Sequence, residues 1–225
     1  MNNYILCSVL SLGLAGKTLQ LYLKRKRERS QERINEVLFF PDDEFPCDRI
    51  TKSMLMRPPS QRVCYNPSCR KLHGRDNEPN SSMIRFLSFL ANAKRRVDLC
   101  IYLFTQKTLA DLLLDLHKSN VIVRIITDGD EEMIRNSQVS RLLAAGIEIK
   151  TNNCGSGALM HHKFVVIDDR VLLSGSFNWT NKAVVSNYEA VLVTTSEELV
   201  KPFTIKFNDL WKTFVHIGAK TKLIR

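Results

Sequence analysis

The sequence predicts an α/β domain whose mixed central sheet is flanked by helices, and three observations carry that prediction. Between residues 81 and 152, helical apolar spacing alternates with short runs rich in β-branched residues, the pattern of βαβ units. From residue 160 the pattern changes to short strands in succession, separated by turn formers. An apolar fraction of 44% over 225 residues is enough for one principal core with small appendages.

At the N-terminus, Tyr4 to Leu23 form a mostly apolar run, interrupted by Lys17 and Gln20, with the roughly 20-residue length of a bilayer-spanning helix. Lys24, Arg25, Lys26, Arg27 and Arg29 follow at once, whereas Met1, Asn2 and Asn3 carry no basic side chain. A secretory signal peptide more often has its charge before the run and a small-residue cleavage site after it. The positive distal flank predicts an uncleaved single-pass transmembrane helix and basic juxtamembrane segment over residues 1–34, with the folded domain, 35–225, on the cytosolic side. A buried amphipathic helix is the alternative.

Cys47, Cys64, Cys69 and His73 have the spacing C-x16-C-x4-C-x3-H, the last three in a polar loop rich in turn formers. Four such ligands suit a structural Zn2+ with no open catalytic position, in a small zinc-binding insertion at about 45–76. Four unrelated side chains are the alternative. Arg62, Arg70, Lys71 and Arg75 make the surroundings basic and suited to phosphate contacts.

The remaining elements follow in order. Ser81 or Ser82 caps a helix through residues 83–96. Residues 97–104 read as a buried strand in which Cys100 is a core residue, 108–120 as a helix and 121–128 as the next strand. Residues 137–146 have a helical apolar pattern stopped by Gly146, and 147–152 read as a strand. Residues 160–168 and 170–176 are adjacent strands with a turn at Asp168-Asp169, and 187–195 form another. Ser196, Glu197 and Glu198 open a final helix that half-buries Phe203, Phe207, Leu210, Trp211 and Phe214, unless Pro202 delays its start.

Within these strands His161, Lys163 and Asp168 stand at H-x-K-x4-D, and Gly175, Ser176 and Asn178 follow as G-S-x-N. Alternation along a strand puts His161 and Lys163 on one side and His162 on the other. An imidazole that titrates near neutrality beside a compact cation suits phosphodiester chemistry without a catalytic metal. His162 reads as structural, Trp179 as packing beneath the turn, and Ser174 and Thr180 as turn or cap residues.

These residues, with Glu189 downstream, resemble the signature of the phospholipase D superfamily, over roughly residues 35–215. A single copy of the motif resembles the branch in which two identical subunits build one site, and within it the mitochondrial cardiolipin hydrolase (Zucchini-type) family. The resemblance implies a phospholipase D-like fold in which His161 is the nucleophile of a phosphohistidine pathway and His161 of a second subunit the general acid. It implies that Lys163 and Asn178, with Ser176 as a further candidate, hold the non-bridging oxygens, that Glu189 orients the nucleophilic ring, and that Asp168 has a supporting role. It also implies a comparable zinc insertion, a homodimer and the outer mitochondrial membrane.

A net charge of +10 favours anionic partners without choosing between them. The resemblance leaves two substrates. Single-stranded RNA, cleaved in primary piRNA biogenesis alongside small-RNA pathway proteins, is preferred on the basic residues. Cardiolipin or another anionic phospholipid, hydrolysed to phosphatidate, is the alternative, and a non-enzymatic membrane scaffold a third.

Overall fold

Runs that alternate between β-branched and amphipathic character fold into one mixed sheet with helices on both faces. The computed structural model describes residues 20, 33–42, 52–56, 81–129, 135–152 and 157–217. Contacts divide the chain into two units, Met1–Ile34 and Asn35–Arg225, and the fold set out here is that of the second.

In chain order the elements are β1 (Asn35–Phe40), α1 (Lys52–Leu55), α2 (Ser82–Ala91), β2 (Arg96–Ile101), α3 (Lys107–Lys118), β3 (Ile122–Thr127), α4 (Val139–Ala144) and β4 (Glu148–Thr151). They continue with β5 (Lys163–Ile167), β6 (Val171–Gly175), α5 (Asn181–Val185), β7 (Glu189–Thr194), α6 (Glu197–Thr213) and β8 (Val215–His216). The strand order is β1-β7-β6-β5-β2-β3-β4-β8. Strands β2, β3 and β4 are parallel, joined by crossovers through α3 and α4. Every other pairing is antiparallel.

Local chemistry sets the boundaries. Ser81 caps α2 by accepting from Ile84 N, and the Asp42 carboxylate accepts from Ser82 N and Met83 N at 2.9 Å each, satisfying further donors of the first turn. Gly146, at φ +88°, ends the turn after α4. Asp168 and Asp169, at φ 56° and 57°, form the tight turn between β5 and β6, closed by Arg170 N donating to Ile167 O at 2.9 Å. Helix α6 starts at Glu197 and runs through Pro202; the prolyl ring lies on an exposed turn, where a carbonyl without an intrahelical donor can be hydrated.

One sheet face packs Cys100, Ile126, Phe164, Val166 and Leu172 against Val200, Phe203, Phe207 and Trp211 of α6. An ionic clamp crosses the same interface. Asp98, 1% exposed, accepts Arg124 Nε at 2.8 Å and Nη2 at 2.9 Å. The Arg124 guanidinium lies over the rings of Phe207 and Trp211 and donates to Asn208 Oδ1. Arg96 Nε is 2.9 Å from Asp98 Oδ2 but is not aligned for a hydrogen bond, so that pair is Coulombic.

Two expectations from the sequence are corrected. The first is the single-pass transmembrane helix of residues 1–34. Among the described residues no helix is long and apolar enough to cross a membrane. The longest, α6, has 17 residues and carries Glu197, Glu198, Lys201, Lys206, Asp209 and Lys212, so it is too short and too charged. Apart from Gln20, Arg33 and Ile34, the segment itself lies outside the described residues. The topology and the location on the outer mitochondrial membrane that rested on it are withdrawn. The second is the structural Zn2+. Among the described residues no group of His, Cys, Asp or Glu side chains could hold a metal ion. Cys47, Cys64, Cys69 and His73 all lie outside them, and the zinc insertion is withdrawn from the fold. Spacing alone does not bring four side chains to one tetrahedron.

Candidate active site

All the motif residues but Asp168 fall where the start of β5 meets the ends of β2 and β6 and the start of β7. Lys163 is the first residue of β5 and pairs with Ile101, the last of β2. Gly175 ends β6 opposite Val191, and a Cβ on Gly175 would stand 1.9 Å from Ala190 O, so only glycine lets the strands approach here.

His161 precedes the strand rather than lying in it, and its side chain is exposed. Lys163 Nζ donates to His161 O at 3.0 Å and lies 3.2 Å from Nδ1 and 3.4 Å from Nε2 of the ring. The Tyr102 ring packs on both, 4.4 Å from the imidazole centroid and 5.2 Å below the ammonium. Burial pushes Lys163 below the ordinary lysine range, and the charge of Glu189 opposes that shift.

Glu189 accepts Asn187 Nδ2 at 3.0 Å. Among the described residues it makes no hydrogen bond to the imidazole. Ser176 Oγ accepts Ala190 N at 3.2 Å, closing the β6–β7 ladder. Asn178 has a buried Oδ1 without a hydrogen-bond partner. Its position is fixed by Trp179, which is buried against Phe86 and Phe104 and bonded through its backbone to Leu103, Thr105 and Gln106. That is the packing role read from the sequence.

Asp168 is not brought to the others. It follows the far end of β5, five residues from Lys163 and so roughly 17 Å along the strand. Its carboxylate accepts the backbone N–H groups of Lys94, Arg95 and Arg96 at 2.8, 2.7 and 2.8 Å, holding the α2–β2 connection to the hairpin. Asp168→Asn is expected to lower unfolding free energy by about 1–3 kcal/mol, with turnover per folded molecule within about threefold of wild type. Urea titration beside a turnover assay checks this; a hundredfold loss of turnover at unchanged stability would return Asp168 to the site.

His162 lies on the other side of the chain, with its ring near Phe164. Burial lowers its basicity, reinforced by the charges of Lys206, Lys163 and His161. Sequence reasoning missed Tyr102, Asp128 and Asn152. Asp128 accepts Met160 N at 2.8 Å, and Asn152 Nδ2 donates to Ala158 O at 2.8 Å, just upstream of His161. The available signal was a polar residue directly after each of two apolar strands, which many loops share.

Comparison with known proteins matches residues 86–211 to the family described as cardiolipin synthase, PLD-like domain. A mitochondrial cardiolipin hydrolase of Chlamydomonas reinhardtii is 37% identical over 179 residues, covering 80% of this chain and 74% of that protein. Its namesake in Danio rerio is 36% identical over 211 residues, covering 92% and 87%. Among solved structures, the phospholipase D family member Nuc from Salmonella typhimurium superposes with a TM-score of 0.56 at 25% identity, over 60% of this chain and 90% of that one.

Proposed function

The chain belongs to the phospholipase D superfamily of hydrolases, as a homologue of the mitochondrial cardiolipin hydrolases, and we propose that it cleaves a phosphodiester of an anionic phospholipid, cardiolipin, through a phosphohistidine on His161. The observation that carries this reading is the Lys163 ammonium within 3.4 Å of both ring nitrogens of His161. An imidazole nitrogen attacks phosphorus while the P–O bond to the leaving alcohol breaks. Lys163 and Asn178 answer the charge that grows on the non-bridging oxygens. Water then cleaves the P–N bond, releasing phosphatidate.

The leaving oxygen needs a proton, and the acid is His161 of a second copy in a homodimer. Two-fold symmetry supplies one residue in two roles, nucleophile in one copy and acid in the other. Substrate preference for cardiolipin is supported by the curated relatives, which are named for that lipid. Single-stranded RNA is the second reading, favoured by the net charge of +10, which suits a polyanionic backbone.

The test is turnover by the purified full chain on cardiolipin vesicles and, side by side, on 5′-labelled single-stranded RNA. The expected result is phosphatidate release from the vesicles. RNA cleavage without phosphatidate would overturn the lipid reading and install the second.

A further inference from the structure

We propose that Asp128 and Asn152 form a bracket that positions His161 through the backbone of residues 158–160; the proposal rests on the reading of His161 as nucleophile. Sheet register sets the bracket up. Lys163 pairs with Ile101, Ile101 with Thr127, and Thr127 with Thr151, one row across four strands. Asp128 and Asn152 are the first residues beyond the parallel strands β3 and β4, so they stand side by side at the end of the sheet that carries Lys163.

Their side chains hold the segment leading into β5 at alternate residues. Asn152 Nδ2 donates to Ala158 O at 2.8 Å, and Asp128 Oδ2 accepts Met160 N at 2.8 Å. The two are also tied to each other, with Asn152 Nδ2 3.3 Å from Asp128 Oδ2, and Asn152 Oδ1 accepts Gly129 N at 2.8 Å, which fixes the orientation of the amide. Asp128 is 5% exposed, and the Met160 side chain is buried in the apolar cluster with Ile126 and Phe164. His161 comes next. It belongs to no strand, so its backbone is set from behind by the bracket and from ahead by Lys163, which bonds its carbonyl.

This support matters because in-line attack tolerates little displacement of the nucleophile. The bracket touches no reacting atom. Asp128 and Asn152 are positioning residues, and their loss is read in the chemical step more than in substrate binding.

The experiment uses full-length Asp128→Ala, Asn152→Ala, Asp128→Asn and the double alanine variant on bis(4-nitrophenyl) phosphate, a soluble phosphodiester. Each single alanine variant is expected to lose about 10²-fold in kcat, the cost of a misplacement near 1 Å, with KM within about threefold. The double variant is expected to be no slower than the worse single one, because both act on one segment. Asp128→Asn, which keeps an acceptor for Met160 N, recovers most of the loss. Amide hydrogen exchange should quicken in peptides spanning 157–162 while β2 and β5 keep their protection.

Near wild-type kcat in both folded alanine variants would overturn the bracket. So would a fall in kcat that tracks the folded fraction, with exchange faster across the whole sheet. Should Asp128→Ala fail to fold, Asn152→Ala, whose side chain is partly exposed, decides alone. Wild-type turnover in His161→Asn would sink the nucleophile reading instead. The exchange result separates the two failures, since the segment loosens in Asn152→Ala whatever His161 does.

Discussion

His161→Asn is expected to reduce phosphodiester turnover by at least roughly 10⁴-fold, the scale of loss when a covalent nucleophile is removed. Asparagine keeps a polar amide of similar reach, so the Lys163 contact and the Tyr102 packing are perturbed rather than abolished. Substrate binding should therefore persist. On the proposed two-copy site the substitution would delete nucleophile and acid together, which makes the expected loss larger than for either role alone. Wild-type enzyme quenched in alkaline denaturant during turnover should carry acid-labile phosphorus on the peptide containing His161, and the variant should carry none. Turnover within tenfold of wild type, or labelled phosphorus elsewhere, would remove His161 from the mechanism. Mixed dimers of wild-type and variant subunits add a sharper test, because pairing through one shared site predicts that a single inactive copy disables both.

Asp98→Ala carries the largest expected effect on stability. The carboxylate is 1% exposed and bonded twice by Arg124, whose side chain is only 15% exposed. Removing it leaves a largely buried guanidinium without its counter-charge at the sheet–α6 interface, a change worth about 3–5 kcal/mol in buried pairs. For a chain of this size that is a fall of roughly 6–20 °C in Tm. Pairing Asp98→Ala with Arg124→Met should recover most of the loss, since an apolar side chain can continue the packing on Phe207 and Trp211 without an orphaned charge. Chemical denaturation of the single and double variants measures both numbers. A single-variant loss under about 1 kcal/mol would show that the clamp is electrostatically neutral and that α6 is held by its apolar contacts alone.

Turnover and stability are thus expected to separate by residue. His161 and Lys163 answer to chemistry. Asp168 and Asp98 hold strands and a helix in place. Asp128 and Asn152 link the two by tying a strand-end network to the residue proposed to attack.

What could be read locally was read from local chemistry. The Ser81 cap, the stop at Gly146, the Asp168-Asp169 turn and the buried Trp179 each depend on a few neighbouring residues. Strand β1, the five-residue α5 and the two-residue β8 escaped notice, because elements so short or so isolated carry too little periodicity. The expected membrane span and zinc centre are claims about how residues assemble, and neither is part of the described fold.

By itself the sequence determined the alternation of strands and helices and the family signature, since H-x-K and G-S-x-N are set by spacing along one or two strands. Only the tertiary structure decided which strand ends meet. Pairing of β5 with β2 and β6, rather than any spacing in the chain, brings Tyr102 to His161 and leaves Asp168 at the opposite end from Lys163. Register is a property of two strands at once, so a side chain's partners across a sheet are not written in its own segment.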